Sequence, residues 1–145
     1  MLLLHSFREL VQVDKKYKLF IAGDLNARYS LYFNQMIQEM SLGENIQMTG
    51  WIKDVSGWLE DKHYIVCSSI LEGHPVGIME AMACGLKPLI HNFVGARGAY
   101  PDKYLWNTIP EFVSMVREDD YNSEDYRKFI QIDAIWNYMK VFKHI

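Results

Sequence analysis

The sequence predicts an α/β fold with a mostly parallel sheet and helices on both faces. Two observations carry this. The short apolar runs in "YKLFIAG", "YIVCSS" and "KPLIH", of which "YIVCSS" is β-branched and lacks polar alternation, suit strands that are covered on both sides. Between them lie segments with apolar residues at helical spacing, and strand and helix alternate through short connections, the pattern of a parallel sheet with crossover helices.

The elements follow in order. Leu3, Leu4, Phe7, Leu10 and Val11 recur at helical spacing, and "YKLFIAG" is a strand run closed by glycine. Tyr29, Tyr32, Phe33, Met36, Ile37 and Met40 form one apolar helical stripe, with Gly43 where a helix C-terminal glycine belongs. "NIQMTG" reads as a second strand, "VSGWLED" as a short helix and "YIVCSS" as a third strand. Pro75 suits the first turn of a helix that carries Glu80 and ends near Gly85, after which "KPLIH" is a fourth strand. "TIPE" is a capping box for the helix "EFVSMVRE", and Ser123 is placed to cap a further helical stretch toward the C-terminus. The first element is a helix with no strand before it, so the chain begins inside a βαβ unit.

The 145 residues, half of them hydrophobic and 23% charged, suit one globular domain over 1–145. A net charge of -3 with no dense basic run argues against nucleic acid. No apolar run approaches the roughly 20 residues that span a bilayer, and "MLLLHSF" lacks the features of a signal peptide, which points to the cytoplasm. Cys67 and Cys84 sit in apolar surroundings without clustered histidines, so the expectation is reduced core thiols and no metal site. Tyr29, Tyr32 and Phe33 are read as packing, His91 carries a weak flag, and His5, His63 and His144 suggest no role.

The chemistry concentrates in "SSILEGHPVGIMEAMACGLKPLIH". From Pro75 to Leu86 the one charged residue is Glu80, and a buried carboxylate needs a partner. Either a cation within the fold or a ligand hydroxyl in a cleft can serve. In a parallel sheet the ligand crevice lies beyond the C-terminal strand ends, and this segment runs from such an end into a helix whose free N–H groups favour an anion. Glu72 would stand at the crevice mouth and Glu80 roughly 8 Å further along the helix. Gly73, Val76, Gly77 and Cys84 share the side of Glu80 and leave room for an approaching group.

"EGHPVGIMEAMACG" resembles the E-x7-E signature of the retaining glycosyltransferases of family 4, which pair two Rossmann-like domains in the GT-B architecture. "LLLHSFRELVQVDKKYKLFIAGD", "IQMTGWIKDV", "YIVCSSILEG" and "EAMACGLKPLIHNFVGA" follow in the order of that family's C-terminal, nucleotide-sugar-binding domain. The resemblance implies a Rossmann-like fold and a UDP- or GDP-linked sugar donor. It implies that Glu80 bonds the ribose hydroxyls and that Glu72, the catalytic-site carboxylate, holds the donor sugar with backbone groups of Gly73 and His74. Trp51 and Ile52 would border the base, and Gly77 would keep the helix face open. No metal and no further cofactor are implied, since the DxD motif of the other large architecture is absent. The reaction implied is transfer of a sugar to an acceptor hydroxyl with retained configuration, in glycan or polysaccharide biosynthesis. A non-catalytic nucleotide-sugar-binding module and half of a nucleotide-sugar epimerase are the alternatives. Relative to the family the chain lacks the acceptor-binding domain, the first strand of the nucleotide domain and the basic loop behind it. An acceptor-binding domain or partner chain is therefore expected, any membrane contact would run through that missing half, and unpaired sheet edges favour self-association. At the phosphate-side loop, Gly95-Ala96 stands where a Gly-Gly pair is common in the family, and the extra Cβ would limit close backbone approach.

Overall fold

The computed structural model describes residues 1–73 and 75–131. In chain order the elements are α1 (Leu2–Val13), β1 (Leu19–Ala22), α2 (Ala27–Glu39), β2 (Ile46–Gly50), α3 (Val55–Leu59), β3 (Tyr64–Cys67), α4 (Val76–Ala83), β4 (Lys87–His91), α5 (Ala96–Ala99), β5 (Leu105–Trp106), α6 (Ile109–Arg117) and α7 (Ser123–Phe129). The four expected strands are present and run parallel. β1 pairs with β2, Leu19 beside Ile46. Separately, β3, β4 and β5 form a second ladder in that spatial order, with Val66 beside Leu89 and Ile90 beside Leu105. β5 has only two residues, too few for any periodicity to betray it.

Helices cover both faces, and β4 shows it residue by residue. Leu89 packs into a core with Leu4, Phe7 and Leu10 of α1, Ile37 and Met40 of α2, and Phe112 of α6. Its neighbour Ile90 points the other way, against Ile78 and Met82 of α4, Ala96 of α5 and Tyr126 of α7. Alternation of side chains across a strand puts consecutive residues in opposite layers. β4 is accordingly buried from Lys87 to Ile90, whereas β1 alternates between half-buried and exposed residues and β3 is half-buried until Cys67. Among the described residues, both β1 and β3 lack a neighbouring strand on one side. That is why runs that read as fully covered strands are only partly so.

Helix ends confirm some expectations and correct others. Thr108 Oγ1 accepts from Glu111 N–H, and the Glu111 carboxylate accepts from the N–H groups of Thr108 (3.0 Å) and Asn107 (2.6 Å), closing the expected capping box. These N–H bonds hold the Glu111 carboxyl below its ordinary pKa. Gly85 ends α4 with φ +93°, and Leu86 N–H donates to Ala81 O at 3.0 Å. Gly43 does not play that part for α2. Ser41 takes the left-handed conformation instead (φ 56°), with Leu42 N–H on Ile37 O at 2.9 Å. Buried Leu42 and Ile37 supply the apolar contact that goes with this closure and offset the cost of a non-glycine residue there. Asn122, not Ser123, caps α7, its side chain accepting from Glu124 and Asp125 N–H. In α2 the core stripe is Phe33, Met36, Ile37 and Met40, while Tyr29 (68% exposed) and Tyr32 face solvent, because the first turns of α2 reach past the core that its last turns join. The C-terminal end of the helical stretch predicted after Ser123, His144 included, lies outside the described residues.

The edge of the sheet opposite the strand C-termini is tied down by side chains. Lys87 Nζ, at the start of β4, donates to Met115 O (2.6 Å) and to the Asp120 carboxylate. Tyr121 Oη donates to Gly85 O at 2.8 Å, and Arg127 Nη2 to Cys84 O at 2.9 Å.

Candidate functional site

The loops beyond β3, β4 and β5 are joined by polar contacts at the C-terminal ends of the strands. Ser69 Oγ donates to Glu72 Oε1 at 2.5 Å, holding the half-buried carboxylate against the loop that leaves β3. The carbonyl of Ser69 lies 3.1 Å from His91 Nδ1 at the end of β4, and the His91 ring meets Trp106 edge-on at 4.9 Å. Asn92 Nδ2 donates to Asn107 Oδ1 at 2.8 Å, linking the ends of β4 and β5. Sequence reading flags His91 only weakly and misses Ser69, Asn92 and Asn107. Their signal lies in position alone, each being a polar residue just past a strand C-terminus. Tyr100, buried nearby, has its pKa pushed up to about 12, first by burial and then by the negative charge of Cys67 and Glu72 in their ionised forms.

Glu80 lies in the next helix, and the structure corrects the premise that it is buried. α4 turns Ile78, Ala81 and Met82 into the protein and leaves Val76, Gly77, Glu80 and Ala83 exposed. Among the described residues no ion pair or hydrogen bond reaches the Glu80 side chain, and its exposure lets water solvate the charge. A cation within the fold is thus not its partner among the described residues. The surrounding face is open as expected, since a Cβ added at Gly73 or Gly77 would meet nothing within 4 Å. One turn on, Cys84 Sγ lies 3.7 Å from Ser56 Oγ of α3, so α3 flanks α4 just past Glu80. Cys84 is half-buried and Cys67 buried, both as free thiols.

Trp51 and Ile52 follow β2 and lead through Asp54, the N-cap of α3, into that helix. Trp51 is 78% exposed, and Ile52 is half-buried. The turn before them is anchored to the end of β1, where Gly23 N–H donates to Gly50 O at 2.7 Å. The chain thus places Glu72, Gly73, Gly77 and Glu80 along one continuous loop and helix, with Trp51 and Ile52 on the approach to the flanking helix. His74 lies outside the described residues. In the loop after β4, Gly95 is left-handed (φ +94°) with open space beside it. Ala96 is fully buried, so its methyl group packs in the core and does not stand in the way of backbone approach from outside, as the sequence led us to expect it would.

Exposed apolar residues also gather past the strand ends: Leu25 after β1, Trp51 after β2, Ile70 and Leu71 after β3, and Val94 after β4. Among the described residues no group of His, Cys, Asp or Glu is arranged to hold a metal ion, and no helix is long and apolar enough to cross a membrane.

A family model described as "glycosyl transferases group 1" matches residues 1–104, most of the chain. The chain belongs to this family. Its fold is shared by solved glycosyltransferase structures. TarM aligns with a TM-score of 0.80 at 18% identity, over 99% of this chain and 31% of that one. A mutant of Staphylococcus aureus TarM, in complex with fondaparinux, alpha-GlcNAc-glycerol and UDP, aligns at 0.73 and 20% identity over 90% of this chain and 27% of that one. Sucrose-phosphate synthase of Thermosynechococcus elongatus aligns at 0.74 and 14% identity, over 98% of this chain and 43% of that one. At these identities the likeness shows the fold, the Rossmann-like α/β arrangement of the GT-B type. The chain spans between about a quarter and less than half of the length of these neighbours. No curated protein sequence matches it.

Proposed function

We propose that this chain is the donor-binding, C-terminal half of a retaining glycosyltransferase of family 4, which transfers a sugar from a UDP- or GDP-linked donor to an acceptor hydroxyl in cytoplasmic glycan or polysaccharide synthesis. The observation that carries the reading is Glu80: an exposed carboxylate without an internal partner among the described residues, on an open face with Gly77, in the helix that follows the loop leaving the C-terminal end of β3. A pair of ribose hydroxyls would donate to it, and such charge-assisted bonds are the stronger kind. Glu72, held by Ser69, faces the donor sugar from the loop ahead of α4. Trp51 and Ile52 offer an apolar border for the base, and Gly73 and Gly77 let backbone and ligand approach closely.

In the reaction an acceptor oxygen bonds to the anomeric carbon while the bond to the nucleoside diphosphate breaks, the acceptor proton leaving with the diphosphate. Orienting donor and acceptor is a large part of such catalysis. This chain's residues hold the donor. The acceptor site belongs to a second domain or partner chain, for which the exposed apolar residues past the strand ends provide a facing surface. Transfer by these 145 residues alone is therefore not expected.

Calorimetric titration of UDP and GDP into wild type and Glu80→Gln tests the reading. The substitution keeps shape but removes charge, so affinity should fall by about 1.5 to 3 kcal/mol, the range for a hydrogen bond to a charged group. Thermal stability should stay unchanged, because the exposed side chain has no described partner to lose. Unchanged nucleotide affinity in the mutant would remove Glu80 from the site.

A further inference from the structure

β3 and β4 run side by side as far as Cys67 and Ile90, where their register ends. Beyond that point the chain leaves β3, and its backbone groups lose the neighbour that a strand would offer. A side chain takes over. His91, the last residue of β4, places Nδ1 3.1 Å from the carbonyl oxygen of Ser69. A carbonyl only accepts, so the bond requires the proton on Nδ1 and leaves Nε2 of the neutral ring as an acceptor.

The ring that makes this bond is itself held. Trp106, its register partner in β5, meets it edge-on with 4.9 Å between ring centroids, and Phe112 meets Trp106 in the same manner at 5.2 Å. Trp106 and Phe112 are both fully buried, so the imidazole is seated on the packed core. From Ser69 a second bond runs outward, its Oγ donating to Glu72 Oε1 at 2.5 Å. Ile70 and Leu71, between these two residues, are 74% and 75% exposed, so packing contributes little to fixing the loop and the hydrogen bonds must do it. A chain of contacts thus leads from Phe112 through Trp106, His91 and Ser69 to the carboxylate of Glu72. His91 is its link between sheet and loop.

We propose that His91 is a positioning residue: it fixes the loop after β3 through the Ser69 carbonyl and so sets Glu72 for the sugar of a nucleotide-sugar, without touching the donor itself. The part given to the sugar rests on the function proposed above; the hold on the loop does not. The ring serves two ends that substitution can separate. Its body packs on Trp106, and Nδ1 alone serves the loop. Phenylalanine keeps a ring for Trp106 and has no donor. Asparagine gives up the ring, but its Nδ2 stands at the same branch position as Nδ1 and donates. If packing were the whole role of His91, His91→Phe would be the mild change and His91→Asn the harmful one. The positioning role inverts that order. Glu80 lies further on, in α4, and among the described residues no hydrogen bond joins it to His91, so the nucleotide end of the ligand serves as an internal control.

Hydrogen exchange of the ligand-free 145-residue chain and calorimetry test this together. His91→Phe should speed exchange of the Leu71, Glu72 and Gly73 amides about fivefold or more, because a released loop opens more often. His91→Asn should restore most of the protection. UDP and GDP are titrated beside UDP-glucose, UDP-N-acetylglucosamine and GDP-mannose, and the ratio of the nucleotide to the nucleotide-sugar dissociation constant gives the contribution of the sugar. In His91→Phe that contribution should fall about three- to tenfold, the scale of one net hydrogen bond, with the affinity for the bare nucleotide unchanged, whereas His91→Asn should keep it. Ser69→Ala cuts the second bond, spares the first and should lose the same contribution. In a Glu72→Ala background His91→Phe should have no further effect. Unchanged loop exchange in His91→Phe overturns the proposal; so does an equal loss for nucleotide and nucleotide-sugar, or a sugar contribution that survives the substitution. A wild type that binds no nucleotide, or gains nothing from the sugar, overturns the donor reading and the sugar role of His91 with it. The exchange measurement, made without ligand, tells that failure from failure of the hold on the loop.

Discussion

Lys87 and Asp120 bond to one another but stand in different surroundings, and their removal should have unequal costs. The Lys87 side chain is 2% exposed and that of Asp120 54%. Asp120→Ala strands a buried ammonium with Met115 O as its remaining acceptor. Breaking a buried pair by deleting one member costs about 3 to 5 kcal/mol, and the partial exposure of Asp120 places the expected loss near the lower end, about 3 kcal/mol. Lys87→Met keeps the packing of the stem and leaves behind a carboxylate that water already reaches. Its cost is then the carbonyl of Met115, one of the last in α6, which loses a donor: about 1 to 2 kcal/mol. Lys87→Ala adds a cavity and should exceed Lys87→Met. Urea denaturation followed by circular dichroism measures all three, with the slope checked for constancy. Lys87 stands at the opposite end of β4 from His91, roughly 13 Å away at 3.3 Å per residue, so nucleotide affinity should not move. A loss for Lys87→Met equal to or larger than that for Asp120→Ala would refute the argument that burial decides the asymmetry.

Other expectations follow from the same structure. Gly85→Ala should cost about 2 to 3 kcal/mol in urea: a left-handed non-glycine residue costs about 1 to 2, and the new Cβ would lie 2.6 Å from Arg127 Nη2, displacing a guanidinium that bonds Cys84 O. A change under 0.5 kcal/mol would show that α7 yields freely. Tyr100, with its pKa raised in the folded state to about 12 from 10, stabilises the fold fully below pH 10, and that contribution disappears as pH rises toward 12. Urea midpoints should fall across this window, and less steeply in Tyr100→Phe; an identical fall in both would assign the loss to other tyrosines.

Much of the architecture is legible in the sequence because its cause is local or periodic. "YIVCSS", without polar alternation, holds a strand, "KPLIH" is one, and "TIPE" places a hydroxyl and a carboxylate three residues apart and is a capping box. Where the reading fails, the deciding force is tertiary. Ser41 rather than Gly43 reverses the chain because Leu42 and Ile37 both reach the core, and Tyr29 and Tyr32 face water because α2 outruns its partners. Glu80 is the instructive case in the candidate site. Its apolar neighbours in sequence suggest burial, yet helical periodicity sends Ile78, Ala81 and Met82 inward and the charge outward. Asn92 meets Asn107, and the Ser69 carbonyl meets His91, only after the strands have been aligned, and nothing in the local sequence announces these contacts.

The hydrogen bond from Ser69 to Glu72 gives the two glutamates different thermodynamic histories. Glu72 is already restricted before any ligand arrives, with its acceptor oxygen turned to Ser69 and the Ser69 carbonyl beside His91. Glu80 keeps its rotamer freedom in solvent, and ordering a free glutamate side chain costs up to about 2 kcal/mol of entropy. A ligand that engages both would find one contact preset and would have to immobilise the other, so its grip at the Glu80 end should be the more enthalpic and the more compensated. A nucleoside lacking the ribose hydroxyls would escape that ordering cost altogether, and comparing its binding entropy with that of the parent nucleotide would reveal which carboxylate was frozen by the encounter.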